Sequence, residues 1–190
     1  MELRETKIST EEIFSGRILH VHRDTVRLPN GKTATREVAD HPGGVAIVAL
    51  TEENEVYLVE QFRYAFDRVL LEIPAGKREI GEPPFVTAQR ELREEIGAEA
   101  DNWYDLGTLL PSPGCFGETL YLYMATNLRF TRQDLDEDEF LNVKKMPLNE
   151  LVARCLDGTV ADAKTVCGAL KVYALRAEGK TPCVLPVDGV

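Results

Sequence analysis

The stretch GKREIGEPPFVTAQRELREEIGA, residues 76–98, carries the features that decide the fold of this chain. Pro83 and Pro84 suit the first turn of a helix, where a missing N–H is tolerated, and Gly97 suits a left-handed residue just past its end. Between them the apolar residues recur on one face at helical spacing, at Phe85, Ala88, Leu92 and Ile96. The stretch therefore predicts a loop that enters an amphipathic helix.

Three acidic residues, Glu91, Glu94 and Glu95, fall within one turn of this helix. At roughly 100° per residue, Glu91 and Glu95 lie about 40° apart at the border between core and surface. Like charges at this spacing destabilise a helix, and Arg90 can offset only part of the repulsion through Glu94. Two interpretations remain at this point: a solvated acidic face, or oxygen ligands for a hard divalent cation such as Mg²⁺.

The spacing of the whole stretch favours the second interpretation. Gly76 is followed after five residues by Glu82, and Glu82 after seven residues by the run Arg90-Glu91-Leu92-x-Glu94-Glu95-x-Gly97-Ala98. This pattern resembles, position by position, the signature of the Nudix hydrolases, with Ala98 in place of a larger aliphatic residue. The resemblance implies an α/β fold in which a mixed β-sheet is sandwiched between helices.

The resemblance also implies roles for individual residues. Glu91 and Glu95 are expected to ligate a divalent cation, Glu94 to share or bridge it, and Arg90 to orient a glutamate by a charge-assisted hydrogen bond. In related hydrolases the backbone carbonyl at the position of Ala75 completes the metal site. The implied cofactor is Mg²⁺ or Mn²⁺, with two or three ions per site.

Composition narrows the class of protein. The net charge of −10 gives the chain no general attraction for nucleic acid. The four cysteines show no CxxC spacing, the N-terminus is charged rather than apolar, and no window approaches the roughly 18 apolar residues of a membrane span. These features predict free thiols in a reducing cytosol and no membrane partner. They fit the cytoplasmic enzyme that the resemblance implies, although composition alone does not indicate an enzyme.

Residues 1–42 look like a separate β-rich unit ahead of a catalytic domain at 43–190. Arg17–Leu28 and Lys32–Ala39 read as two strands, and residues 29–31, Pro-Asn-Gly, are a hairpin turn. A two-stranded ribbon is marginal alone and needs a surface to pack against. In the Nudix branch that this chain resembles, such an N-terminal part packs across a two-fold axis, so we expect a homodimer.

The remaining chain alternates strands with helices. Continuous apolar or alternating runs predict strands, and helical spacing of apolar residues predicts two further helices. The predicted strands are Val45–Leu50, Glu55–Gln61, Leu70–Ile73, Trp103–Leu110, Thr119–Ala125 and Phe140–Lys144, and the predicted helices are Pro147–Leu156 and Ala161–Arg176.

Several residues outside the acidic helix are candidates for binding the substrate. Arg63, in the aromatic setting QFRYAF, suits a phosphate, although an ordinary surface salt bridge is the alternative. The loop with Pro113, Gly114 and Glu118 resembles the corresponding loop of ADP-ribose pyrophosphatases, whose distinguishing proline lies about fifteen residues beyond the signature; Pro113 is 15 past Ala98. Arg36 is a further candidate.

The acidic run QDLDEDE at residues 133–139 has two interpretations. Such runs are usually solvated loops. In the resembled branch, however, a glutamate in this loop orients or deprotonates the attacking water. With Val143 as the anchor, the resemblance assigns that role to Glu137 first and Glu139 second.

Taken together, the resemblance implies Mg²⁺-dependent hydrolysis of ADP-ribose to AMP and ribose 5-phosphate. The substrate partner would be a small nucleotide sugar. The alternatives are another nucleoside diphosphate sugar such as GDP-mannose, or a Nudix protein that binds a nucleotide as a sensor without catalysis.

Overall fold

The computed structural model describes residues 2–135, 137 and 139–187. Its chain forms two compact units: the residues before Gly44 together with Leu110–Thr119, and Gly44–Leu109 together with the residues after Thr119. The sequence predicted a division at residue 42, which assigns Leu110–Thr119 to the second unit. This domain division stays a prediction.

In the described part of the first unit, three strands form an antiparallel sheet in the order β1-β2-β3. They are β1 (Thr6–Ser15), β2 (His20–Arg27) and β3 (Thr33–Asp40). The sequence had predicted two strands, and the missing one is β1. Every residue of β1 is exposed, so its sequence carries no apolar alternation that would reveal a strand.

The second unit contains all the helices and most strands of the described residues. Its elements are β4 (Gly44–Leu50), β5 (Glu55–Arg63), a 3₁₀ turn (Tyr64–Phe66), β6 (Arg68–Glu72), β7 (Ala75–Lys77), α1 (Pro84–Ile96), β8 (Ala98–Leu109), β9 (Leu120–Phe130), β10 (Leu141–Pro147), α2 (Leu148–Leu156), α3 (Ala163–Ala177) and β11 (Cys183–Leu185).

The strands of the second unit form one mixed sheet. As far as the described residues extend, its order is β10-β5-β4-β9-β8-β11, with β6 added to β5 and β7 added to β4. The pairing of β4 with β9 is parallel, and the other pairings are antiparallel.

Strand β4 shows why helices cover both faces of this sheet. All seven of its residues are buried, and successive side chains point to opposite faces. Val45, Ile47 and Ala49 pack in the same core as Ala88, Leu92 and Ile96 of α1. The alternate residues pack in a second core with residues of α2 and α3, which include Leu151, Val152, Ala169 and Val172. The expected α/β sandwich is thus confirmed.

Two further observations concern the chain as a whole. No helix in the residues that the structure describes is long and apolar enough to cross a membrane. The four cysteines, all within the described residues, are free thiols.

Candidate active site

The helix α1 begins and ends as its sequence predicted. Pro83 is the N-cap, and Pro84 occupies the first turn. At the other end Gly97 adopts the left-handed conformation with φ of 64°, and its N–H donates to the Arg93 carbonyl at 2.9 Å. These caps set the ends of α1, and its apolar stripe packs against the sheet; Glu91 and Glu95 are among its buried residues.

Glu91 and Glu95 lie deeper than a border position. Only 6% of Glu91 and 1% of Glu95 is exposed. One carboxylate oxygen of Glu95 accepts a hydrogen bond from the backbone N–H of Ala75, at 2.8 Å. Ala75 begins β7, directly after the loop from β6, so the predicted metal-site residues Ala75, Glu91 and Glu95 come together in the second unit.

Gly76 is required here by space rather than by backbone conformation. A Cβ added at Gly76 would lie 1.8 Å from Cδ of Glu91, which is far inside van der Waals contact. The Glu91 carboxyl therefore occupies the volume that any other residue at position 76 would fill. This explains on physical grounds why the pattern opens with glycine.

Arg90 donates hydrogen bonds to three acids of the cluster. Its guanidinium donates to both carboxylate oxygens of Glu82 at 3.0 Å, and one terminal nitrogen donates to Glu91 and to Glu94 at 2.8 Å each. The hydrogen bonds from Arg90 lower the pKa of Glu82 to about 2. Arg90 thus holds three carboxylates by hydrogen bonds, and its expected role in orienting a metal ligand stays a prediction.

The two buried acids of α1 have the opposite electrostatics. Burial raises the pKa of Glu91 to about 7, although the positive charge of Arg90 acts to lower it. Burial likewise raises the pKa of Glu95 to about 8, and the nearby charges of Glu91 and Glu139 add to the effect. Carboxylates that are buried side by side in this way favour the approach of a cation.

These donors fit a hard divalent cation in chemical type. Carboxylate and carbonyl oxygens are what Mg²⁺ and Mn²⁺ prefer. Glu91, Glu95 and the main chain of Ala75 are the residues placed to hold such an ion, with Glu94 engaged by Arg90. Among the described residues no three His, Cys, Asp or Glu side chains converge closely enough to form a complete ligand set.

The acidic loop after β9 is anchored to the C-terminal end of α1. The Gln133 side chain donates to the backbone carbonyl of Glu95 at 2.6 Å, and the Thr131 N–H donates to the Gly97 carbonyl at 2.6 Å. The Asp134 N–H donates to the Glu94 carbonyl at 3.1 Å. The loop that carries the two predicted catalytic acids is therefore attached to the acidic helix.

The two candidate acids of this loop differ in their surroundings. Glu137 is exposed, whereas Glu139 is half-buried. The charge of Glu139 contributes to the raised pKa values of both Glu91 and Glu95. Asp136 and Asp138 of the same run lie outside the described residues.

Arg63 makes an ion pair that its sequence context did not reveal. Its Nε and one terminal nitrogen donate to the two carboxylate oxygens of Glu72, at 2.7 and 2.6 Å. Glu72 is only 1% exposed, so the partner is buried and the pair is not an ordinary surface salt bridge. The Lys164 ammonium also donates to Glu72 and, at 3.0 Å, to Asp162.

The remaining substrate candidates belong to the first unit. Arg36 donates two hydrogen bonds to Glu5, at 2.9 and 2.5 Å. Glu118 lies 3.5 Å from Nδ1 of His41, and Pro113 and Gly114 are exposed in their loop. None of these residues shares a unit with the acidic helix.

Comparison with known proteins places this chain in a family. The model of the NUDIX domain matches residues 40–167, and the model of the nucleoside diphosphate sugar hydrolase N-terminal domain matches residues 5–39.

Three similar proteins illustrate the range of relatives. The chain is 44% identical over 164 residues to the methanol dehydrogenase activator of Bacillus methanolicus, covering 85% of this chain and 89% of that protein. It is 41% identical to the ADP-ribose pyrophosphatase of Bacillus subtilis, covering 86% and 89%. It is 39% identical to the ADP-ribose pyrophosphatase of Mycobacterium tuberculosis, covering 96% and 90%.

A solved structure, titled as that of an ADP compounds hydrolase, shares the fold. Its TM-score is 0.82 at 22% identity, over 95% of this chain and all of that one. The matched domain covers well over half of the chain, and it contains the loop, the acidic helix and every strand of the mixed sheet except β11. The chain therefore belongs to the Nudix family of hydrolases.

Proposed function

We propose that this protein hydrolyses ADP-ribose to AMP and ribose 5-phosphate in a Mg²⁺-dependent reaction. The observation that carries the proposal is the pair of buried carboxylates, Glu91 and Glu95, on the Nudix helix beside Ala75. The choice of ADP-ribose is supported by the two relatives of that activity, which are similar over most of both chains.

Nudix hydrolases use divalent metal ions, and we propose two or three Mg²⁺ ions, or Mn²⁺, for this site. Glu91 and Glu95 would ligate directly, the Ala75 carbonyl would complete the set, and Glu94 would share or bridge. When bound, the ions supply charge neutralisation of the diphosphate and activation of water. Arg90 would bridge and orient the carboxylates of Glu91 and Glu94, because one of its terminal nitrogens donates a hydrogen bond to each of them.

A general base must accept the proton of the attacking water, and we propose Glu139 for this role ahead of Glu137. Glu139 acts electrostatically on both buried acids, which supports its position at the site, and Glu137 is exposed. The loop that carries them is held by Gln133 to the backbone of Glu95, so helix and loop keep a fixed relation.

For substrate recognition we propose that Arg63 contributes positive charge for the diphosphate. Its bidentate pair with Glu72 fixes the plane of the guanidinium, which limits the entropy lost when a phosphate binds. Arg36, Pro113, Gly114 and Glu118 remain proposals for contacts to the rest of the substrate.

The decisive experiment is a panel of nucleoside diphosphate derivatives incubated with Mg²⁺ and then with phosphatase, with release of inorganic phosphate as the readout. We expect ADP-ribose to give the highest kcat/KM. A preference for GDP-mannose would support the alternative, which also has relatives of that name at 32% identity or less. Binding of a nucleotide without turnover would instead indicate a sensor.

We further propose a cytoplasmic homodimer that forms through the N-terminal sheet. Strand β1 exposes three large apolar side chains, Ile8, Ile13 and Phe14, each about half exposed. Apolar side chains grouped on one strand commonly mark a protein contact. Sedimentation at micromolar concentration is expected to give a dimer, and a Phe14→Ser variant is expected to weaken it. A monomeric wild-type protein would contradict the proposal.

A further inference from the structure

Thr165, in the first turn of α3, connects this helix by a hydrogen bond to the backbone segment that follows β6. It is completely buried, and its hydroxyl donates to the Asp162 carboxylate at 2.5 Å. The same carboxylate oxygen caps α3 by accepting the Thr165 N–H at 3.0 Å. Because a hydroxyl has one proton, its lone pairs stay available, and they accept the backbone N–H of Ile73 at 2.8 Å.

The segment from Ile73 to Ala75 links this contact to the acidic helix. The Ile73 N–H is held by α3 through Thr165, and the Pro74 carbonyl accepts the N–H of Ile47 in β4 at 2.8 Å. The Ala75 N–H then donates to the Glu95 carboxylate in α1, at 2.8 Å. Three successive residues are thus each fixed by a different element.

Close packing keeps α3 from adjusting its position over this segment. A Cβ at Gly168, one turn after Thr165, would lie 2.8 Å from Cγ2 of Val48 and 3.1 Å from Cδ1 of Ile73. The helix therefore rests against the side chain of the residue whose N–H it also binds. A change at Thr165 has to be absorbed by the Ile73–Ala75 backbone.

We propose that Thr165 is a positioning residue for the Glu95 carboxylate. By holding the Ile73 N–H, its hydroxyl sets the direction of the Ala75 N–H, which in turn sets the carboxylate that is to ligate the cation. Without the hydroxyl, the Ile73 N–H is buried and unpaired, and the backbone moves to relieve it. The inference rests on the proposed role of Glu95 as a cation ligand.

The test measures Mn²⁺ binding by calorimetry in the absence of substrate. Thr165→Val keeps the shape and removes the hydroxyl, whereas Thr165→Ser keeps the hydroxyl. We expect the valine variant to bind Mn²⁺ roughly tenfold more weakly and the serine variant to bind as wild type, as for other groups that orient metal ligands. Val172→Ala, which removes buried methyl groups from the same helix, is the control for lost stability.

The outcomes separate this inference from the proposed function. Unchanged Mn²⁺ affinity in Thr165→Val, or an equal loss in Val172→Ala of similar melting temperature, overturns the positioning role alone. If wild type binds no Mn²⁺ while it is folded, both fail. Should the valine variant not fold, Thr165→Ala replaces it, because alanine suits the helix interior and also lacks the hydroxyl.

Discussion

Glu72 and Glu95 are buried to the same degree, each 1% exposed, yet their pKa values move in opposite directions. At Glu72 burial alone would raise the pKa, but the hydrogen bonds and charges of Arg63 and Lys164 outweigh it and the pKa is lowered. At Glu95 burial prevails and the pKa rises to about 8, because the Ala75 N–H is only a partial compensation and Glu91 adds a like charge.

The difference shows that burial of an acid does not by itself indicate chemistry. Glu72 is balanced by two cations from the chain and forms part of the scaffold between β6 and α3. Glu95 lacks such balance and has a second carboxylate, Glu91, as its neighbour. A buried acid without a positively charged partner is tolerated in the core only when it is protonated or when a cation binds to it.

The largest effect is expected for Glu95→Gln. Loss of a direct ligand removes several kcal/mol of transition-state stabilisation, so kcat/KM with Mg²⁺ should fall on the order of 10³-fold. Without metal, the melting temperature above pH 8 should stay equal or rise, because an ionised Glu95 is no longer buried beside Glu91. The exposed Glu150→Gln serves as the control, and wild-type turnover in Glu95→Gln would remove this residue from the site.

Glu72→Gln is expected to act on stability instead. It leaves the half-buried ammonium of Lys164 and the partly buried Arg63 without their shared anion, so unfolding by urea should show a loss of about 3 kcal/mol. Adding Lys164→Met should recover part of the loss. If Glu72→Gln is as stable as wild type while Glu95→Gln unfolds, the contrast between the structural Glu72 and the functional Glu95 is contradicted.

Substitutions of the two loop acids test which of them, Glu137 or Glu139, is the general base. Glu139→Gln should lower kcat by about 10²-fold with little change in KM, as is typical for a lost general base. The matched variant Glu137→Gln should stay within a few-fold of wild type. The reverse result would return the role to Glu137, the residue that the resemblance favoured.

The smallest effect is the pH dependence of the metal-free protein. Glu91 and Glu95 have folded pKa values of about 7 and 8, above the ordinary 4.5, so their contribution to stability is complete below pH 4.5. It is lost as the pH rises through 7 and 8, where the two carboxyls ionise in the folded protein. Thermal melts between pH 5 and 8.5 should show this decline, and Glu95→Gln should flatten it. A stability that rises over this range would contradict the raised pKa values.

The sequence predicted the acidic helix well because its determinants are local. The prolines at residues 83 and 84, the apolar stripe and Gly97 all act within one helix length, and the helix runs from Pro84 to Ile96 as expected. The spacing of the signature placed Glu91 and Glu95 beside each other for the same reason.

What the sequence did not reveal depends on contacts between distant residues. Ile73 and Thr165 are 92 positions apart, and so are Glu72 and Lys164, so no periodicity relates them. Strand β1 was missed because its side chains are exposed and only pairing with β2 makes it a strand. The depth of Glu91 and Glu95 likewise depends on the sheet and not on the helix alone.

A substitution at Gly76 would inactivate the site without changing the charge of any residue. Its φ lies outside the left-handed region, so an alanine could adopt the backbone, but its methyl would occupy the place of the Glu91 carboxyl. Gly76→Ala would thus displace the Glu91 carboxyl sterically and leave Glu95, Arg90 and the loop chemically unchanged. For engineers, this one methyl group is a route to an inactive protein that retains the charges of the native site, suited to capturing a nucleotide sugar uncleaved.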